Sequence, residues 1–91
     1  SFTGDNNQTI TIESDSAERN EKTGHTQYSG NVVIHQGSLI IDANSVNVYY
    51  EDNEVTLIFA MVFSIYEDFF ETRLNHPVII YLLPPLTILP L

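Results

Sequence analysis

The chain contains no cysteine, and only three of its 91 residues are basic. Without cysteine it can form neither a disulfide nor a thiolate metal site. Twelve acids against three bases give a formal net charge of −9, which excludes the basic footprint that nucleic-acid binding requires and disfavours electrostatic docking to an anionic membrane. The charge favours solubility. The alternative is that the acids line a site for a cationic partner.

Catalytic motifs are also missing. The glycines stand singly at predicted turns, so there is no nucleophile elbow, phosphate loop or dinucleotide fingerprint. His25, His35 and His76 have no metal-ligand spacing. Acid pairs such as Glu13 with Asp15 lie in or beside turns, where solvated carboxylates are expected, and so do not favour a glycosidase dyad. We therefore predict that the chain is not an enzyme and has no cofactor.

Long hydrophobic runs are absent as well. The run Val78–Leu83 is six residues long and stops at a double proline, far short of the roughly 20 residues of a membrane-spanning helix. We do not expect a transmembrane anchor. The chain starts at Ser1 without a basic-then-apolar leader, so we expect any signal peptide to have been removed or to lie outside this segment.

What is present is a series of short segments with strand character. In Thr9–Glu13 apolar and polar residues alternate, which places Ile10 and Ile12 on one face of a strand. Further strands are predicted at His25–Tyr28, Val32–His35, Leu39–Asp42, Val46–Tyr50 and Val55–Phe59. Turn residues separate them at Asn20–Gly24, Gln36–Gly37 and Glu51–Asn53, and a turn or bend is predicted at Ser29–Asn31. Closely spaced strands without a helical period indicate an all-β sandwich, roll or barrel.

The composition changes after Ala60. Met61–Tyr66 is densely apolar, and Pro77–Leu91 is nearly all aliphatic with four prolines. We predict a β portion over residues 1–60 and a divergent apolar tail over residues 61–91. Within the tail, Ile65–Leu74 could form one or two amphipathic helical turns.

Three blocks, taken in order, carry a resemblance to a known family. They read I-x-I-E-S-D from Ile10 to Asp15, an aromatic followed by x-G-N-V-x-I-x-Q-G from Tyr28 to Gly37, and I-x-A-x-x-V from Ile41 to Val46. In this order and spacing the segment from Thr3 to Phe59 resembles the LptA/OstA-like family of periplasmic lipopolysaccharide-transport proteins. Soluble bridge proteins and OstA-like domains of the membrane components both belong to this family, and the resemblance does not distinguish them.

The resemblance implies a twisted, open β-jelly-roll of antiparallel strands, truncated in this chain. It implies a periplasmic protein that holds the acyl chains of lipopolysaccharide in an apolar groove. It also implies end-to-end assembly by strand pairing, with other copies and with OstA-like domains of the inner-membrane and outer-membrane components.

The residues expected to contact the acyl chains are those that alternation places inward. They are Ile10, Ile12, Tyr28, Val32, Ile34, Leu39, Ile41, Val46, Val48 and Phe59. The alternative is that these side chains form an ordinary hydrophobic core. Ile10 and Ile12 are the strongest candidates because they lie in the best-matched block, on the first strand.

The tail after Ala60 departs from the family pattern of polar–apolar hairpins. One hypothesis is a frame-shifted or truncated reading of the gene; the other is a genuine terminus that covers the groove. Reading the coding DNA in the other two frames decides between them, since a recovered hairpin pattern would establish the frame-shift.

Edge pairing is a second predicted activity. The N-terminal strand Gln8–Ser14 lacks the proline and lysine that usually protect an exposed edge, so another chain could pair with it. A structural or adhesive edge-pairing module without a lipid ligand is therefore the alternative function. A carbohydrate-binding module is less favoured, because the adjacent Tyr49 and Tyr50 must point to opposite faces.

Overall fold

A computed structural model describes residues 9–67, 69–83 and 87–89. All of the regular elements in this part of the chain are strands, which confirms the all-β prediction. They are β1 Thr11–Glu13, β2 Ser16–Asn20, β3 His25–Gln36, β4 Leu39–Glu51, β5 Glu54–Glu67, β6 Phe70–Leu83 and β7 Thr87–Leu89.

The strands form one antiparallel sheet in the order β1-β3-β4-β5-β6-β7. β2 lies beside β1 along the same edge of β3: β1 pairs with residues 33–35, and β2 pairs with residues 25–29. Between the two short strands, the amide of Asp15 donates a hydrogen bond of 2.9 Å to the carbonyl of Gly30. The chain therefore folds back on itself as successive hairpins, as closely spaced strands and tight turns favour.

Residues with positive φ form two turns that lie at the same end of the sheet. Asp52 and Asn53, between β4 and β5, have φ of 53° and 65°, values that asparagine and aspartate tolerate better than most residues. Gly24, before β3, has φ of 65°, and its carbonyl accepts a 2.7 Å hydrogen bond from the amide of Tyr50. A Cβ at Gly24 would lie 2.6 Å from the Tyr50 carbonyl oxygen, so only glycine fits this turn.

The turn or bend predicted at Ser29–Asn31 is a bulge within one strand rather than a turn between two. These residues lie inside β3, where the register with β4 shifts between Ser29 and Val32. Gly30 and Asn31 have φ of 80° and 48°, and the Asn31 amide donates a 2.9 Å hydrogen bond to the carboxylate of Asp15. Residues able to adopt positive φ serve bulges as well as turns, so the two predicted strands on either side are one long strand.

Similar irregularities cross the sheet from strand to strand. β4 shifts register between Asp42 and Ser45, and β5 does so between Val62 and Ser64. Bulges bend strands and increase their twist. A flat sheet of 14-residue strands would be roughly 46 Å long and about 10 Å thick, whereas the molecule measures 38 × 28 × 24 Å. The sheet is therefore strongly bent, with a concave inner face and a convex outer face.

The helical turns predicted at Ile65–Leu74 are also wrong. This segment contains the end of β5, a turn at Phe69 with φ of 70°, and the start of β6. Pairs such as Ile65 with Thr72 place it in the sheet, so strand pairing outweighs a weak helical pattern.

β5 also crosses residue 60 without interruption. The division of the chain at that residue, and the frame-shift hypothesis, stay predictions.

The core lies on the inner face. One cluster of buried apolar side chains draws on β3, β4, β5 and β6. Its members are Val32, Ile34, Leu39, Ile41, Ala43, Val46, Val48, Ile58, Ala60, Val62, Ile65, Ile80 and Leu82. Register explains why they meet: Ile12, Ile34, Ile41 and Ile65 lie opposite one another on consecutive strands of the sheet.

Candidate functional site

The apolar inner face brings together nine of the ten residues predicted to contact acyl chains. Six are fully buried in the cluster, namely Val32, Ile34, Leu39, Ile41, Val46 and Val48. Ile10, Ile12 and Tyr28 are partly buried and pack against it. The inward orientation predicted for these nine residues agrees with the structure; contact with a ligand stays a prediction.

Phe59 is the exception, and its predicted inward orientation is wrong. Its neighbours Ile58 and Ala60 are buried in the core, so Phe59 points to the outer face. There its ring centroid lies 5.2 Å from that of Tyr81, its partner on β6. Alternation in β5 is set by Ile58, Ala60 and Val62, and the apolar residues between them concealed this phase in the sequence.

The contribution of β5 and β6 to the inner face was not predicted from the sequence. Six buried residues of the inner face come from these strands: Ile58, Ala60, Val62, Ile65, Ile80 and Leu82. Strict alternation, the signal used for β1 and β3, is hidden here because the outer face carries apolar residues too. Phe63, for example, is 41% exposed. A continuous apolar run bounded by turns is the pattern that could have revealed such strands.

One end of the inner face has an apolar rim. We call Phe69 and Phe70, at the turn between β5 and β6, the phenylalanine rim; they are 93% and 78% exposed. Thr72 pairs with the buried Ile65, and Phe70 lies two positions before Thr72 on β6. Phe70 therefore faces the same side of the sheet as Thr72. Ile10, which packs on the core beside β1, is partly exposed. Exposed aromatic side chains at the margin of an apolar face suit contact with an apolar ligand or partner.

The opposite end is polar. Arg19, Tyr28 and Tyr50 form what we call the arginine–tyrosine cluster. The guanidinium carbon of Arg19 lies 5.3 Å from the centroid of the Tyr50 ring, within the range of a cation–π contact. Burial, together with the neighbouring Tyr50 hydroxyl to which it is hydrogen-bonded, raises the pKa of Tyr28 above its ordinary value of 10.0. Both tyrosine rings also pack against the apolar cluster.

Open cavities lie around this polar end and at the bend of the described part of the chain. A cavity of about 580 Å³ lies beside the turn between β2 and β3, lined by Glu18, Arg19 and Lys22 among others. A second, of about 350 Å³, adjoins Tyr50 and the turn after β4. A third, of about 280 Å³, lies near the bend at Val32 and Phe63. The inner face is filled by its own side chains, so an apolar ligand must separate them.

The three histidines do not come together as a ligand set. His25 hydrogen-bonds to Asn47 at 2.8 Å and stacks on Tyr49 with 4.7 Å between ring centroids. Nε2 of His35 lies 3.9 Å from a carboxylate oxygen of Glu13 on the neighbouring strand. No cluster of three His, Cys, Asp or Glu side chains suited to a metal occurs in the described part of the chain. His25 and His35 lie on the outer face of the sheet.

No helix within residues 9–67, 69–83 and 87–89 has the length and apolar character needed to cross a membrane.

Comparison with known proteins supports the same assignment as the resemblance. The family model described as "LptA/(LptD N-terminal domain) LPS transport protein" matches residues 11–73, more than half of the chain. The match extends past residue 59 into the tail, whose sequence departs from the family pattern. A search of curated proteins found no match.

Among solved structures, the chain is similar to LptH of Pseudomonas aeruginosa, described as the LptA-homologous periplasmic component of the conserved lipopolysaccharide transport device. The two are 27% identical, with a TM-score of 0.57. The alignment covers 88% of this chain and 55% of LptH, so this chain spans little more than half the length of that protein. The predicted LptA-like open jelly-roll is thereby confirmed.

Proposed function

Because the chain belongs to the LptA/LptD N-terminal-domain family of lipopolysaccharide transport proteins, we propose that it binds lipopolysaccharide in the periplasm and passes it along the inner face of its sheet. In this proposal the acyl chains lie against the apolar cluster and the sugars stay in water. The observation that carries it is the continuous row of apolar side chains from Ile12 on β1 through Ile34 and Ile41 to Ile65 on β5.

Burial energetics explain how such a face could hold a lipid without any catalytic group. Each methylene removed from water contributes about 0.8 kcal/mol. An acyl chain inserted into this face must separate apolar side chains that contact one another. Its own apolar contacts with these side chains offset the contacts that are lost. Partly exposed residues that pack on the cluster are the natural points of access. They are Ile10, Ile12, Tyr28, Tyr50, Val55, Leu74 and Val78.

We further propose end-to-end assembly through the two margins of the sheet. On one margin, β1 and β2 pair with β3 and with no other described strand. On the other, β7 pairs with residues 81–83 of β6, and no described strand pairs with residues 70–80 on that side. A second copy, or an OstA-like domain of the inner-membrane or outer-membrane component, could continue the sheet there by β-augmentation. Joined sheets would make the inner faces continuous.

A structural edge-pairing module without a lipid ligand is the second candidate. It is favoured by the complete burial of the central inner-face residues: Ile34, Ile41 and Val46 have no exposed surface. The same free margins would serve assembly, while the inner face would act only as a core.

Photo-crosslinking combined with a measurement of assembly separates the two functions. A photoreactive residue replaces Ile10 or Ile12 on the inner face, and the control replaces Val33, which is partly buried on the outer face opposite Glu13. Irradiation with lipopolysaccharide should give adducts at positions 10 and 12 and none at position 33. Light scattering measures the size of the assemblies in the same samples. Rod formation without adducts at positions 10 and 12 would establish the lipid-free module and refute the carrier.

A further inference from the structure

Arg19 occupies an unusual place for one of only three basic residues. It lies opposite Thr26 in the pairing of β2 with β3. Thr26 is only 6% exposed and belongs to the inner side of the sheet, so the Arg19 side chain is directed toward the inner face rather than the outer one. Its guanidinium reaches across to the Tyr50 ring. A cation therefore stands at the polar margin of an otherwise apolar surface.

The hydrogen-bonding capacity of Arg19 is not used by a carboxylate of the described residues. None lies within 4.0 Å of its guanidinium, whereas Arg73 is held by Glu71 at 2.8 Å. A guanidinium carries five N–H donors in a planar fork that matches phosphate geometry. Stacking on an aromatic ring orients the fork and leaves its edge available. Arg19 is thus preorganised for an anion, and Arg73 is already paired.

The surroundings add further donors and a second cation. The hydroxyl groups of Tyr28 and Tyr50 lie together beside Arg19, and Lys22 lines the cavity of about 350 Å³ together with Arg19 and Tyr50. Two of the three basic residues of the chain therefore face the same space. The tyrosine rings rest on the apolar cluster, which places polar tips and apolar surface side by side.

We propose that the arginine–tyrosine cluster binds the phosphoryl headgroup of an amphiphile whose acyl chain lies against the inner face. This inference rests on the proposed lipid-carrying function and adds the orientation of the ligand. The headgroup lies at the polar end beside β2, and the chain runs from there along the apolar cluster. The phenylalanine rim, at the other end of the sheet, meets apolar parts of the ligand.

The local charges favour an amphiphile over free phosphate. Glu21, Glu51 and Asp52 line the cavity that Arg19, Lys22 and Tyr50 share, so acids offset the two cations. A small anion gains little net attraction in such a site and remains free to leave. An anion tethered to a buried acyl chain is held beside Arg19 at a high effective concentration. The site is then selective for phosphate that arrives on a lipid.

The test compares dodecyl phosphate, dodecyl maltoside and inorganic phosphate, each titrated below its micelle concentration where one exists. The variants are Arg19→Gln, which removes the cation and keeps much of the side chain, and Arg73→Gln as the matched control. Dodecyl phosphate should bind wild type more tightly than dodecyl maltoside does. Arg19→Gln should weaken dodecyl phosphate about tenfold, the order expected for a lost charge-assisted hydrogen bond, and leave dodecyl maltoside unchanged. Arg73→Gln should change neither.

The outcomes separate this inference from the function on which it rests. If neither detergent binds wild type, the lipid-carrying proposal fails and the headgroup site fails with it. If both bind equally well and Arg19→Gln binds both like wild type, the carrier stands and the headgroup site is refuted. Tight binding of inorganic phosphate that Arg19→Gln abolishes would show a site for the free ion and refute the lipid assignment.

Discussion

Replacing Ile41 with aspartate should lower the free energy of unfolding by about 4 kcal/mol or more, because it leaves an unpaired carboxylate in an apolar interior. Ile41 has no exposed surface and lies between Ile34 and Ile65 in the register of the sheet. Whole domains are stable by only about 5–15 kcal/mol. Urea denaturation followed by circular dichroism should therefore find Ile41→Asp largely unfolded at pH 7.

The control is the adjacent residue. Ile40 is partly exposed and lies on the outer face, opposite His35 and Tyr66. Ile40→Asp should cost about 1 kcal/mol, within the usual range for a point substitution. Burial would raise the pKa of an aspartate at position 41 above the ordinary value of about 3.9. The free-energy cost of burying this aspartate therefore grows as the pH rises above about 3.9. The loss in free energy of unfolding for Ile41→Asp should thus be smaller at pH 5 than at pH 7. Equal losses in the two variants would contradict the assignment of faces.

Affinity for single-chain amphiphiles should rise steeply with acyl length. At about 0.8 kcal/mol per buried methylene, each added carbon tightens binding roughly fourfold. Going from ten to fourteen carbons should then tighten binding roughly 200-fold, until the chain exceeds the inner face. Titration of a series of alkyl maltosides below their micelle concentrations measures this dependence, and the neutral headgroup keeps Arg19 out of the comparison.

A variant with a blocked inner face provides the reference for that series. Ala60 is fully buried between Val46 and Ile80 in the register of the sheet, so Ala60→Leu should fill space that an acyl chain needs. In this variant the gain per carbon should fall well below fourfold, provided that circular dichroism shows a folded sheet. A dependence on chain length that is flat in wild type, or identical in the folded variant, would count against burial of the chain in this face.

Residue alternation predicted much of this face correctly. Along β1 and β4, polar residues such as Thr11 and Asp42 lie between apolar ones. A period of two then leaves a single assignment of inside and outside. Ile12, Ile34 and Ile41 could therefore be assigned to the inner face from the sequence, and the register shows that they are neighbours there.

Where both faces of a strand are apolar, the same reasoning fails. In β5 the sequence Ile58-Phe59-Ala60-Met61-Val62 has no polar residue to mark the outer side. Only pairing with β4 and β6 fixes which residues are buried. The wrong orientation of Phe59 and the omission of the β5 and β6 residues follow from this one ambiguity.

Bulges were the second feature of the fold that could not be predicted from the sequence. Gly30 and Asn31 have the residue types and positive φ of a turn, yet the chain continues through them as one strand. The difference depends on long-range partners: the amide of Asp15 donates to Gly30, and the side chain of Asn31 donates to Asp15. Local sequence does not specify such partners. It therefore could not distinguish a bulge that bends one strand from a turn between two strands.

The most direct test of an acyl chain on the inner face uses the two adjacent tyrosines that point to opposite sides. The chain has no tryptophan, so one introduced tryptophan is the only emitter of its kind. Tyr50 packs on the apolar cluster, and Tyr49 stacks on His25 at the outer face. Binding of an amphiphile brominated along its acyl chain, at equal saturation of Tyr50→Trp and Tyr49→Trp, should quench the tryptophan at position 50 and leave the one at position 49 bright. Equal quenching at both positions, or stronger quenching at position 49, would contradict the account.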